Sequence, residues 1–384
     1  MKGLATLAVL IVTAAIVTVA QSGHEFPVYP GYYPHEIRIE AVSPGRAADL
    51  LLKGKIQAYV GSEPAIANAP KDSIGAIESL GSFVIVRINP DSSLAKDHAT
   101  ACAVGQTVIR SLAPRHGEMV FHPYPVTPFH GDFLHFVDLA ESAKARFTQS
   151  PRETSLPAGM RGLKLRATGS LAEGLVPKEW QTKTSVWDAA VEEVSIVDLV
   201  APSITATNGW LGPPWAKMGW FHAALLLAAS VDDPAVRDRV QADLRRLQSG
   251  AYESAVARIN LERELVTSLI SNCRSMIVGY TVKREYVSTE YSAGIENIGF
   301  DSIDGLNSPI FIRTAKLKDF PWNGWLSLGT DAHPMAAWNP IAGFTDRFGR
   351  LMWWAMGDPA MIPSPNGAGW ILNRTSDVQA SPHR

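Results

Sequence analysis

Five residues with metal-ligand chemistry fall within twenty positions: His116, His122, His130, Asp132 and His135. Imidazole nitrogens and a carboxylate suit copper or zinc. The spacings of six, eight and five match no standard motif, and no i,i+4 histidine pair is present. Prolines 123, 125 and 128 make the segment a rigid extended loop that presents His122 and His130. Separate structural histidines in a polar loop are the commoner outcome of such spacing. The expectation is that reading, with a copper or zinc site on His116, His122, His130 and His135 as the alternative.

Other constellations point to binding rather than bond-making. Gly61-Ser62 and Gly169-Ser170 each follow a strand pattern. Backbone N–H groups at such turns hold an anion or a carboxylate, although ordinary turn and cap chemistry uses the same residues. Trp210 and Trp215 lie on a Gly/Pro loop, and Tyr32 and Tyr33 lie in the strap HEFPVYPGYYP. Aromatic faces in a cleft suit planar or apolar ligands and sugars; the alternative is that they fill a core. Nucleophilic catalysis finds no Gly-x-Ser-x-Gly elbow, and the lone Ser93 to Lys96 match to Ser-x-x-Lys has no companion motif. Asp301, Asp304, Asp331 and His333 offer titratable groups to which the sequence assigns no partner. No dinucleotide fingerprint or phosphate loop occurs. No cofactor is expected outside the copper or zinc alternative, and the residues favour binding over catalysis while leaving an enzymatic role open.

The elements that must position these residues follow from periodicity. Residues 36–42 and 56–60 read as strands around a helix that starts at Ser43-Pro44 and stops at Gly54. Residues 82–88 read as a strand, 93–112 as a helix, 118–121 as a short strand and 131–147 as a helix. Residues 162–168 form a strand that leads into a helix at Gly169-Ser170. Helices are expected over 187–199, 220–231, 234–249 and 252–278, with a loop over 202–214. Residues 285–304 show no firm period, and 321–370 carry short elements at most. Alternating strands and helices imply an α/β lobe with a mostly parallel sheet, whose ligands bind beyond the strands' carboxyl ends.

Composition sets the class. Hydrophobic content is 46%, charged content 19% and formal net charge -2. That is a globular chain without the clustered basic surface that nucleic acid requires. Residues 4–20 form an unbroken apolar and threonine run after Lys2, ending in Thr18-Val19-Ala20. This is the pattern of a secretory signal peptide cleaved near Gln21; an uncleaved N-terminal anchor is the alternative. Either way the rest of the chain is expected outside the cytoplasm. Cys102 and Cys273 are the only cysteines. They are either one disulfide or two buried thiols, and the sequence leaves both open. No CxxC occurs, which disfavours a c-type haem and a structural zinc site. Seven of ten histidines precede residue 136, and all eleven tryptophans follow residue 179. The two parts differ chemically, so two units are expected rather than a duplication.

Two stretches carry a resemblance. AADLLLKGKIQAYVGSEP, Ala47 to Pro64, and GLKLRATGSLAEGL, Gly162 to Leu175, resemble type II periplasmic solute-binding proteins. Gln57 stands where that pattern usually has Asp, and the Trp-rich end has no counterpart in it. The resemblance implies a two-lobed α/β fold with mixed or parallel sheets and an irregular Trp-rich C-terminal region. The expected division is 1–20 signal peptide, 24–147 N-terminal lobe, 148–158 crossing segment, 159–320 second lobe and 321–373 C-terminal region. A hinge near 148–157 would close the lobes on a small molecule held by Tyr32, Tyr33, Gly61, Ser62, Gly169, Ser170, Trp210 and Trp215. The expected partners are that ligand and an inner-membrane transporter or periplasmic enzyme. A His-rich metalloprotein and a membrane-anchored accessory subunit are the rival readings.

Overall fold

The computed structural model describes residues 32, 34–64, 66, 73–95, 97–114, 119–148, 162–207, 212–322, 324–335, 346–357 and 359–375. The apolar run 4–20, Tyr33, His116, residues 149–161 and Trp210 lie outside them. Among the described residues no helix is long and apolar enough to cross a membrane.

In chain order the strands are β1 Glu36–Ala41, β2 Ala58–Val60, β3 Ile74–Ile88, β4 Met119–Phe121, β5 Leu165–Thr168, β6 Ala189–Ser195 and β7 Ser275–Ser288. There follow β8 Ile295–Glu296, β9 Lys316–Leu317, β10 Trp325–Thr330, β11 Met361–Pro363 and β12 Trp370–Leu372. The helices are α1 Pro44–Leu52, α2 His98–Leu112, α3 Val137–Thr148, α4 Ser170–Leu175 and α5 Ile196–Thr207. They continue with α6 Gly219–Leu227, α7 Pro234–Ser249, α8 Ala255–Ile270, α9 Pro309–Thr314 and α10 Arg347–Met356. The fold is mixed α/β, and its main sheet combines parallel and antiparallel strands in the order β1-β10-β2-β7-β3-β6-β5, with β4 on β7.

That order interleaves distant parts of the chain. β1, α1 and β2 form where the sequence puts them, but β10 from the Trp-rich region lies between β1 and β2, parallel to both. At the other end β5 and β6 are parallel to each other. Between these two groups runs an antiparallel ribbon of β3 and β7, in register from Ile74↔Ser288 to Arg87↔Ser275. The register slips between Leu80 and Phe83, leaving Gly81 and Ser82 opposite Thr281. This is a β-bulge, which bends a strand and increases its twist.

The run SFVIVRI is apolar without alternation because both faces of β3 are covered. Phe83 and Ile85 enter a core with Trp220, Phe221, Leu265 and Leu269 from α6 and α8. Val84, Val86 and Ile88 enter a second core with Val104, Val108 and Leu112 of α2. Strand geometry sends successive side chains to opposite faces, so one strand serves both cores.

Three expected elements differ. The helix expected over 187–199 is the strand β6 followed by α5. Ala189, Ala190 and Val191 are buried, Glu192 is held by Arg87 at 2.8 Å, and pairing on both sides overrides helical propensity. The loop expected from residue 202 begins instead inside α5, which runs through Pro202 and gives up one hydrogen bond there. The helix expected over 252–278 ends at Ile270, and Ser275 opens β7. A buried strand and a buried helix cannot be told apart by a short apolar run.

Cys102 on α2 and Cys273, just before β7, form a disulfide that settles the open pairing. It closes a loop across 171 positions. Cross-linking so long a loop restricts the unfolded chain, so replacing both cysteines by serine should cost about 2–5 kcal/mol of stability. Urea unfolding of the two forms checks this; coincident midpoints would contradict it.

Candidate functional site

The directions of the strands decide where the site lies. Val60 ends β2 heading toward Glu285 of β7, because Ala58 pairs with Val287 and Tyr59 with Tyr286. Thr168 ends β5 beside Glu192, and Ser195 ends β6 opposite Ser82. The carboxyl ends of both strand groups therefore approach the middle of the β3–β7 ribbon from opposite sides. The four positions from Thr281 to Glu285 span about 13 Å of that ribbon.

Two carboxylates fasten the turns that follow. Gly61 donates its N–H to Glu285 Oε1 at 2.6 Å, while its carbonyl accepts from Arg347 at 2.9 Å. Its φ is +106°, and a Cβ there would lie 2.7 Å from the Arg347 guanidinium. Glycine is therefore required both by conformation and by contact. Gly169, at φ +98°, lies against Glu193, which would stand 2.8 Å from a Cβ. Glu193 also accepts from Ser82 at 3.0 Å, and Ser82 meets Thr281 at 2.8 Å across the bulge.

A charged crevice occupies this midline. Lys217, Lys283, Arg347 and Arg350 supply cations, and Asp301 and Asp304 supply carboxylates. Lys217 bonds Asp301 and donates to the Ser364 carbonyl at 2.8 Å. Asp301 in turn accepts from the Ile303 and Asp304 N–H groups, which fixes the loop. Fully buried Glu285 accepts from the Leu306 N–H at 2.8 Å and lies 3.6 Å from Lys283. Burial, with Asp301 nearby, raises the Asp304 carboxyl above the usual range, and burial lowers Arg350. Asn307 Oδ1 and Arg350 Nε are buried without a hydrogen-bond partner. A buried polar atom left unpaired is costly, so these two mark where a ligand or water atom is wanted. The free space is about 50 Å³. Ligand pockets usually hold roughly 300–1,000 Å³. The crevice is closed in this conformation.

The sequence-predicted ligand residues are distributed as follows. Gly61 borders the crevice through Arg347, and half-buried Ser62 follows it. Gly169 and exposed Ser170 sit across the ribbon at Glu193. Trp215 neighbours Lys217 in sequence, but its ring packs on Phe221 and Trp220, with centroids 4.8 and 6.1 Å away. Tyr32 meets Trp322 with ring centroids 5.3 Å apart and tilted, under Lys316, and neither ring lines the crevice. Arg347, Arg350, Lys217 and Lys283 were not singled out by the sequence. The one available signal was Asp301 and Asp304, two acids in a Gly- and Ser-rich stretch.

The histidines have other duties. His122 Nε2 meets the Val126 carbonyl at 2.8 Å. His135 Nδ1 pairs with buried Glu262 at 3.1 Å. Asp132 accepts from the Gly219 and Trp220 N–H groups and caps α6. His130 and His222 form a chain whose tautomers are fixed by its ends. The Thr127 N–H donates to His130 Nδ1, so His130 Nε2 carries the proton and donates to His222 Nδ1 at 2.8 Å. His222 Nε2–H then donates to the Ala216 carbonyl at 2.8 Å. Among the described residues the group that gathers three metal-ligand side chains is His98 with Cys102 and Cys273, whose sulfurs are bonded to each other.

Burial drives His222 down to about 4, against the hydrogen bond to Ala216, and His130 falls well below its ordinary value for the same reason. A histidine held neutral by the fold is protonated only in the unfolded chain between about pH 6.5 and 4. Stability should therefore be full above that window and fall as pH drops through it, by about 3 kcal/mol for His222. Urea midpoints at pH 7.5 and 4.5 test this, with His222→Gln expected to flatten the dependence.

No protein-family model and no curated sequence matches the chain. Among solved structures it is similar to an oligopeptide-binding protein, OppA, at 12% identity and TM-score 0.40, covering 67% of this chain and 52% of that one. It is similar to DppA, an ABC transporter-associated periplasmic binding protein from Helicobacter pylori in complex with peptide STSA, at 8% identity and TM-score 0.40, covering 72% and 55%. It is also similar to AgaA from A. tumefaciens R10 in complex with agropinic acid, at 13% identity and TM-score 0.37, covering 72% and 59%. The chain spans a little over half the length of these structures, which are periplasmic solute- and peptide-binding proteins.

Proposed function

We propose that this chain is an extracytoplasmic binding protein that captures a small polar molecule in the midline crevice and hands it to a membrane transporter. One observation carries the reading: two groups of strands aim their carboxyl ends at a shared ribbon, and charged side chains from separate elements meet there. Ligands of open α/β sheets bind at that end of the strands. With four cations against two carboxylates in the lining, the favoured ligand carries an acidic group. Nothing in the site assembles a nucleophile with a base, so capture needs no bond-making. The disulfide fits an oxidising compartment outside the cytoplasm.

Because the closed space is so small, binding requires the two strand groups to part. The bulge at Gly81-Ser82 is the natural place for that bending, since the ladder is already interrupted there. A ligand with contacts only in one arrangement shifts the population toward it.

A thermal-shift screen of short peptides, organic acids and opines tests the proposal. A true ligand at a hundred times its dissociation constant should add about 2.7 kcal/mol of stability. Arg350→Gln should weaken an acidic ligand about tenfold or more with little change in the unliganded melt. A complete absence of shift across these classes would end the reading.

A second reading, docking of the aromatic C-terminal region on a partner, rests on Phe320, Trp322 and Trp325, which are 65%, 61% and 71% exposed. Pull-down with and without Trp325→Ser would test it.

A further inference from the structure

A separate cavity of about 560 Å³ lies far from the crevice. It opens beside Ser275, Met276 and Ile277 at the start of β7. Eight strand positions, about 26 Å, separate Ile277 from Glu285 at the midline. Its other walls are the last turns of α2 and α3, the Pro123–Pro125 loop, and the ends of α6 and α8. The volume falls within the range of small-molecule sites.

The lining has a definite chemistry. Ile109, Phe147, Leu227 and Ile277 form an apolar floor. Arg110 and Arg146 are the only charged residues among the described lining residues. Arg110 Nε is buried without a hydrogen-bond partner, although it stands within a folded wall. An unpartnered buried guanidinium donor points to an acceptor that arrives with the ligand. Arg146 lines the cavity from the last turn of α3 and is exposed. The walls are also tied together: Cys273 lines the cavity and is bonded to Cys102 on α2. A cross-linked cavity is preorganised, which lowers the entropic cost of binding.

The geometry points to a second binding site, for an amphipathic carboxylate: Arg110 receives the acid group and the apolar floor receives a hydrocarbon or aryl body. The site is independent of the crevice and of its proposed function.

Titration calorimetry of the full chain with octanoate, and with octylamine as the cationic match, tests it. Octanoate should bind one-to-one, and octylamine at least tenfold more weakly. Arg110→Gln should weaken octanoate about tenfold or more, and Ala143→Phe, which narrows the cavity without touching charge, should weaken it as well, with the melting temperature of each variant measured alongside. Arg350→Gln, which alters the crevice alone, should leave octanoate binding unchanged. Equal binding of octanoate and octylamine, no octanoate binding, or loss of octanoate binding through Arg350→Gln would overturn the proposal. The first two of these outcomes are read on the unmodified protein and need no variant to fold. The first two leave the crevice's own ligand untouched, whereas loss through Arg350→Gln would assign octanoate to the crevice instead.

Discussion

β3 and β7 pair along nearly their whole length, from Ile74↔Ser288 to Arg87↔Ser275, and each half of the molecule depends on a different stretch of that ribbon. The first stretch of β3 and the last of β7 support β2, β10 and β1. The remaining stretches support β6, β5 and β4. A continuous hydrogen-bonded ribbon cannot be cut without leaving buried backbone groups unpaired, so both halves stay tied to it. The register shifts at Leu80/Phe83 and again at Val84/Ile85 are the places where that constraint relaxes.

Much of the polar chemistry is arranged to serve this ribbon. Glu285 and Glu193 act as paired fasteners. Each accepts from groups in a turn that follows a strand's carboxyl end, on opposite sides of the bulge. Buried carboxylates are stable only when their lone pairs are satisfied, which Gly61 and Leu306 do for Glu285. Lys217 joins the α5–α6 connection to the Asp301 loop, so a single ion pair spans the two sides of the crevice. An opening motion would have to loosen that pair, which makes the closed form the one held by charge. The histidine chain is of another kind. His130 and His222 sit among apolar side chains as neutral hydrogen-bond relays that tie the Thr127 loop to the α5–α6 connection.

The small glycine turns show how far local signals reach. Gly61-Ser62 and Gly169-Ser170 were legible as turns because a glycine after a strand signals one; Gly61 reaches Glu285 of the ribbon and Gly169 lies against Glu193 of β6. The tryptophan on the Gly/Pro loop was less informative. Trp215 stands beside Lys217 but its ring is drawn into the core by Phe221 and Trp220, since a large aromatic gains more from burial than from facing a polar crevice. The cationic residues of the crevice were invisible, because an isolated Lys or Arg in sequence reads as ordinary surface.

By itself the sequence determined the local grammar. The helix starts at Ser43-Pro44 and at Asp233-Pro234, the stop at Gly250, a strand over 36–42 that the structure ends at Ala41, the 82–88 part of β3, and the α/β class all follow from capping, proline and periodicity, which act over a few residues. It also supplied both cysteines, but not their bond. Tertiary structure alone decided what joins over long separations: β10 between β1 and β2, Cys102 to Cys273, Lys217 to Asp301, and β6 as a strand rather than a helix. Those outcomes rest on pairing and burial between segments tens to hundreds of positions apart, where local propensity has no reach.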